Sequence, residues 1–147
     1  MKISIASDHG GFNLRTDLVD YLRERGYEVV DHGCPSVESV DYPVYGRFVC
    51  EDVINKSSDY GILICRTGIG MSIYANKYPG IRAGLVGNKK TAASARAHND
   101  CNIICLAADY TSFEDACLFV ETFLNTDFEG GRHKRRVDMI IEREKEL

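Results

Sequence analysis

The segment ILICRTGIGMSIYANK, Ile62 to Lys77, holds the residues best suited to chemistry. Cys65 ends an apolar run, Arg66 follows it, and Thr67-Gly68-Ile69-Gly70 comes next. A thiol beside a cation and a glycine-rich helix start has two reasons to ionise more readily than a free one. As a thiolate it could act as a nucleophile or as a general base. The same residues also fit a cysteine that closes a core strand, since free cysteine is often buried. The glycine pair alone does not decide between them. It lacks the Lys-Ser/Thr ending of a Walker loop and the third glycine of a dinucleotide fingerprint.

Other candidates lie along the chain. Asp8 and His9 follow the first apolar run and are themselves followed by Gly10 and Gly11. His9 could contact a ligand or be satisfied by a loop carbonyl. His98 and Asn99 follow an Ala-rich segment, where they could do chemistry or cap a helix C-terminus. Arg132 and Arg136 are four apart and share one helical face. With His133, Lys134 and Arg135 they form a basic cluster in an acidic chain, either a solvated surface or a phosphate clamp.

These residues need elements to position them. Short apolar runs at Lys2–Ser7, Tyr27–Asp31, Tyr60–Cys65, Arg82–Val86 and Asn102–Ala107 read as strands. Between them, apolar residues recur at helical spacing: Leu14, Leu18, Val19 and Leu22 before Gly26, then Val44, Phe48, Val49 and Val53 after Tyr42-Pro43. A helix is expected from about Gly68, another over Thr91–Ala97, and one carrying Phe113, Ala116, Val120 and Phe123. A last, charged helix after Gly130-Gly131 has a narrow stripe of Val137, Ile140 and Ile141, suited to its own domain or to a partner subunit. The alternation predicts a parallel sheet covered by helices on both faces. In such a sheet, ligands bind beyond the carboxyl ends of the strands, where Asp8, His9 and Cys65 fall.

The composition narrows the class. The chain has 147 residues, with 44% hydrophobic and 27% charged, enough for one domain with a sizeable core. A net charge of -4 argues against nonspecific nucleic-acid binding. The six cysteines include no C-x-x-C pair of the kind that holds zinc or runs redox chemistry, and scattered thiols suit a reducing cytoplasm. The start, MKISIASDHGG, is too soon polar for a signal peptide, and no run approaches membrane-span length.

Topology adds a constraint. Cys65 closes its strand at the carboxyl edge of the sheet, whereas His98 precedes the fifth strand, at the amino edge. A six-residue strand spans roughly 20 Å. If both residues serve one reaction, they must meet across a subunit interface, which predicts a homodimer with shared sites.

Taken together, the motifs resemble the type B ribose-5-phosphate isomerase family and its related sugar-phosphate isomerases. The matching pieces are S-D-H-G-G-F, V-D-Y-P, I-L-I-C-x-T-G-I-G-M-S-I with A-N-K, G-I-R-A, A-H-N-D-x-N and E-G-G-R-H-K-R-R-V, spanning nearly the whole chain. The resemblance implies a Rossmann-like three-layer α/β/α fold with a five-stranded, mostly parallel sheet and a C-terminal helix. It also implies at least a homodimer, possible pairing into tetramers, and no metal or organic cofactor. The implied reaction interconverts an aldose phosphate and a ketose phosphate. By motif, Cys65 moves the proton between the first two carbons, and Thr67, Gly68, Ile69 and Gly70 form the loop that holds the enediolate oxygen. His98 opens the sugar ring with Asn99 beside it. Asp8 and Tyr42 line the sugar site, and His9, Arg132 and Arg136 hold the phosphate. This agrees with elementary chemistry: a proton α to a carbonyl becomes acidic only when the enediolate is stabilised, and amide donors supply that.

Two positions depart from the family pattern. Arg66 stands where glycine usual follows the cysteine, and Asp109 stands where an arginine usually helps hold phosphate. A lesser change is Tyr74, where small residues are common. The two main changes are opposite in charge. The expectation is that Arg66 reaches into the sugar site and is partly held by Asp109, of the same or the partner chain, which would alter the choice of sugar.

Overall fold

The computed structural model describes residues 1–147. The five strands are β1 (Lys2–Ser7), β2 (Glu28–Asp31), β3 (Tyr60–Cys65), β4 (Ala83–Leu85) and β5 (Ile103–Ala107). The helices are α1 (Phe12–Glu24), α2 (Tyr42–Ile54), α3 (Ile69–Ala75), α4 (Lys89–Ala97), α5 (Phe113–Leu124) and α6 (Arg132–Lys145). All strand pairs are parallel, in the order β2-β1-β3-β5-β4.

Side-chain alternation along the central strands separates two cores. Ile3, Ile5, Ile62, Ile64, Ile104 and Leu106 face one side, where α1, α4 and α5 bury Leu18, Leu22, Ala92, Ala95, Val120 and Phe123. Leu63, Cys65, Ile103 and Cys105 face the other, against Val49, Cys50, Met71 and Ala75 of α2 and α3. Apolar residues on both faces of β3 and β5 explain their unbroken hydrophobic runs. The expected three-layer α/β/α architecture is thus present.

Several boundaries move. β4 is shorter than the run Arg82–Val86; at its start the Arg82 N–H donates to the Asn102 side chain, Oδ1, at 2.9 Å, and its Nε donates to the Asp100 backbone carbonyl at 2.9 Å. α4 begins before Thr91 because Asn88 and Thr91 form a capping box, with Thr91 N–H to Asn88 Oδ1 at 2.8 Å. α6 is the least embedded helix: only His133 and Val137 are buried along it.

The strand order fixes where a ligand would sit. The chain leaves β1 toward β2 on one side and later fills β3 on the other. The crevice beyond β1 and β3 is therefore the topological switch point.

Candidate active site

Asp8 and Cys65 flank that switch point. Ser7 pairs with Ile64, and Asp8 N–H donates to the Ile64 carbonyl at 3.2 Å. Asp8 is buried and caps the turn His9–Gly11, accepting from Gly11 N–H at 3.2 Å. Gly11 is needed here, since a β-carbon would come within 2.7 Å of Ile64. Below the turn, Arg15 is buried and ties the loops together, pairing with Asp31 at 3.1 Å and donating to the Cys34 carbonyl at 2.9 Å. His9 is held by its ring: Nδ1 accepts from Val40 N–H at 3.2 Å, which leaves Nε2 as the nitrogen able to meet a ligand.

Cys65 is the last residue of β3, opposite Ala107 of β5, and it is buried with 4% exposure. It sits at the rim of the core. The thiols of Cys50, Cys101, Cys105 and Cys117 are pushed up by burial, to about 12 for Cys50 and about 11 for Cys101 and Cys117. Those four are unsuited to base chemistry near neutrality.

The loop after Cys65 is built from backbone. Gly68 takes φ +74°, the left-handed region, close against the Leu106 carbonyl. Thr67 Oγ1 accepts the Ile69 N–H at 3.3 Å. The helical ladder of α3 starts only with Ser72 N–H to the Gly68 carbonyl at 3.1 Å, so the amides of Gly70 and Met71 precede it. α3 is seven residues long. Its contribution to an oxyanion is therefore these individual N–H groups rather than the dipole of a long helix. Tyr42, the first residue of α2, lies on Gly70, where a β-carbon would stand 2.6 Å from its ring and 2.9 Å from its hydroxyl.

Arg66 runs across the Gly10 backbone, where a β-carbon would collide with its Cγ. Its Nη1 reaches Asp109 Oδ1 at 3.4 Å, and Asp109 N–H donates to the Arg66 carbonyl at 3.0 Å. The expected pairing is present within one chain. Its side chains are 60% and 42% exposed, so the pair lies at the surface of the crevice rather than buried in it.

The remaining candidates gather elsewhere. His98 caps the C-terminus of α4, at the amino edge of the sheet, and Asn99 follows it, both exposed. Arg132 and Arg136 are exposed on α6. His133 between them is buried, contrary to its reading as one cation of a solvated cluster. Its ring stacks on His98 with centroids 4.3 Å apart and planes at 11°. Burial, followed by the proximity of His98 and Arg132, holds the His133 imidazole below its usual range. Glu129 completes this group, 3.8 Å from His98 Nε2 and 3.4 Å from His133 Nε2. Glu129 went unnoticed in the sequence, because it precedes α6 and is separated from it by Gly130 and Gly131, both at positive φ, so helical spacing does not place it beside His133.

One chain therefore brings Asp8, His9, Tyr42 and Cys65–Gly70 together and keeps His98, Asn99, Arg132 and Arg136 apart from them. A groove of about 540 Å³ lies between β4, α4 and α6. Among the candidates, only Asn99 lines it.

The model of the ribose/galactose isomerase family matches residues 3–140. The chain belongs to the ribose/galactose isomerase family. Within that family it is 43% identical to ribose-5-phosphate isomerase B of Escherichia coli, over 95% of this chain and 93% of the relative. The structure of ribose-5-phosphate isomerase B from Clostridium thermocellum superposes with a TM-score of 0.97 at 49% identity, covering 99% of both chains. That of the Mycoplasma genitalium enzyme, solved with bound ribulose-5-phosphate, superposes at 0.94 with 42% identity, over 99% of this chain and 97% of that one. The isomerase-family fold is thus reproduced from end to end. No helix is long and apolar enough to cross a membrane.

Proposed function

We propose that this chain interconverts ribose 5-phosphate and ribulose 5-phosphate, with Cys65 as the proton-transferring base. The observation that carries the reading is the seating of Cys65 at the switch point, next to the Thr67–Gly70 amides and beside Asp8, in an isomerase-family fold. A thiolate at Cys65 takes the C2 proton of the open-chain aldose. The C–H electrons form the C1–C2 double bond, and the carbonyl π electrons move to O1. The loop amides stabilise that oxygen as it gains charge. Transfer of the hydroxyl proton from O2 to O1 moves the charge to O2; as the C2=O2 carbonyl forms, the C1–C2 double-bond electrons take the proton back from Cys65 at C1, which gives the ketose. His98 acts earlier, protonating the ring oxygen as its bond to C1 breaks, while the O1 hydroxyl gives up its proton and its electrons form the C1=O1 carbonyl.

The active unit in this reading is a homodimer. The carboxyl-edge group of one chain meets His98, Asn99, Arg132 and Arg136 of its partner, and two-fold symmetry yields two complete sites. Supporting this, apolar side chains are exposed along α2, α3, β4 and α6: Val44, Phe48, Ile69, Ile73, Leu85 and Ile140. Arg132 and Arg136 would then reach the phosphate opposite His9. All six cysteines are free, in keeping with a reducing cytoplasm. The whole chain would act as one sugar-phosphate isomerase domain without a resident cofactor.

A second reading, an isomerase of a tetrose or hexose phosphate, is favoured by one observation: the Arg66–Asp109 pair at the rim of the crevice. The test is a coupled activity screen over four-, five- and six-carbon aldose and ketose phosphates, run with solvent-hydrogen exchange into the C1 position. Turnover and exchange on ribose 5-phosphate above the others are expected. Exchange with none of them would leave a phosphate-binding module and overturn the assignment.

A further inference from the structure

His98, Glu129 and His133 converge more closely than a surface cluster requires. Their ligand atoms all lie within 4.8 Å of one another. Atoms that share a tetrahedral Zn²⁺ at about 2.0–2.1 Å stand roughly 3.4 Å apart, so the remaining gap is on the order of 1 Å. The two residues that must move can do so, because the side chains of His98 and Glu129 are 45% and 57% exposed. The third is fixed. His133 is buried, and its Nε2 has no hydrogen-bond partner: Glu129 Oε2 is 3.4 Å away but misaligned. A buried, unpaired imidazole nitrogen beside a carboxylate needs an explanation, and His98, stacked on His133 with planes at 11°, must rotate out of that stack to bring its own nitrogen to the same ion. Glu129 is anchored where it is needed, its N–H donating to the Ala97 carbonyl at 3.0 Å at the end of α4.

We propose that His98, Glu129 and His133 form a site for a borderline divalent ion such as Zn²⁺ or Co²⁺, whose occupancy withdraws His98 from proton transfer. Two imidazoles and one carboxylate suit such ions and offer too few oxygens for Ca²⁺ or Mg²⁺. Three protein ligands leave one position open to water or an anion. Arg132 and Arg136 oppose the ion electrostatically, which makes the site one for reversible occupancy rather than a permanent structural metal. The inhibitory half of the proposal rests on the role of His98 given above; the binding half does not.

The experiment titrates chelator-stripped full-length protein with Co²⁺ and reads the visible d–d absorption, then repeats it with Glu129→Gln and His133→Ala. Saturable binding is expected, with affinity falling in each variant by more than the roughly 10–100-fold that loss of an outer partner costs. Absence of the band, or unchanged affinity in Glu129→Gln, which is exposed and should fold, overturns the site. Isomerase activity is then measured with Zn²⁺, before and after chelation. Reversible inhibition of the wild type that is relieved in Glu129→Gln supports the full proposal. Equal inhibition of both proteins means that Zn²⁺ acts elsewhere, for instance on Cys65, and overturns it. Binding without inhibition retains the site but overturns the claim on His98.

Discussion

The two groups of candidate residues differ in how firmly their own chain holds them. At the carboxyl edge, most of the residues are held against backbone, Arg66 excepted. Asp8 caps a turn, His9 is pinned by Val40, Gly68 is pressed on Leu106, and Tyr42 lies on Gly70. At the amino edge, His98 and Asn99 hang from a helix end, and α6 is attached through His133 and Val137. Chemistry that moves a proton needs a preorganised donor set. The carboxyl-edge group supplies one unaided; in the proposed dimer the other would gain its setting from a partner. The difference separates what one chain preorganises alone from what it leaves loosely held.

The largest effect should come from the rigid group. Cys65→Ala is expected to lower the isomerisation rate by about 10²–10⁴-fold, the usual cost of losing a general base, with phosphate-ligand affinity nearly unchanged. Steady-state kinetics with direct binding would check it. Near-normal turnover would return Cys65 to a strand-closing role.

The next test crosses the two groups. Inactive Cys65→Ala and His98→Ala proteins, mixed under subunit exchange, should regain about a quarter of wild-type activity, because half the dimers are mixed and each has one intact site. No recovery after verified exchange would mean that the groups do not share a site.

How much of this was readable in advance follows the same division. The strands announced themselves through unbroken apolar runs, and Cys65 through its place at the end of one. The distance between Cys65 and His98 was legible from topology alone, since a residue before β5 and one after β3 must lie at opposite edges. Three things were not legible. The start of β4 lies beside Arg82, whose contacts with Asn102 and Asp100 are tertiary. The burial of His133 was hidden by four cationic neighbours, because composition reports a helix's average and not its inward face. Glu129 acquires meaning only once α4 and the start of α6 are brought together. The earlier start of α4 was a different case, since Asn88 and Thr91 carried the capping signal in plain view.

A third prediction concerns the rigidity of the first group. Asp52 on α2 accepts from His32 Nε2 at 2.7 Å and from Ser4 Oγ at 2.8 Å, fastening the helix that carries Tyr42 to β1. Burial alone would push its carboxyl up, but the hydrogen bonds from His32 and Ser4 outweigh that and hold it below the usual range. A depressed folded value means stabilisation present in full above the unfolded value of about 3.9 and lost as pH falls through the folded one. Asp52→Asn should thus cost about 1–2 kcal/mol at pH 7. The gap to wild type should narrow below about pH 4. Urea melts at several pH values would check it, and a constant gap would remove the carboxylate as its source.

The smallest effect in energy bears most on substrate choice. Arg66 and Asp109 form an exposed pair at 3.4 Å, so their coupling should be about 0.2–1 kcal/mol, far below that of a buried pair. A weak tether leaves the guanidinium free to leave Asp109 for a ligand phosphate or hydroxyl, and Gly10 gives it the room to lie across the crevice. Arg66 would then act on selectivity rather than on stability. A double-mutant cycle with Arg66→Gly and Asp109→Arg, read in urea melts and in kcat/KM on five-carbon and other sugar phosphates, separates the two. The expected outcome is near-additive stability with a non-additive change in substrate ranking, because Asp109 governs how often Arg66 is available. Additive kinetics and an unchanged ranking would reduce the pair to surface charge. Substrate choice would then rest with the residues that the rigid group already fixes.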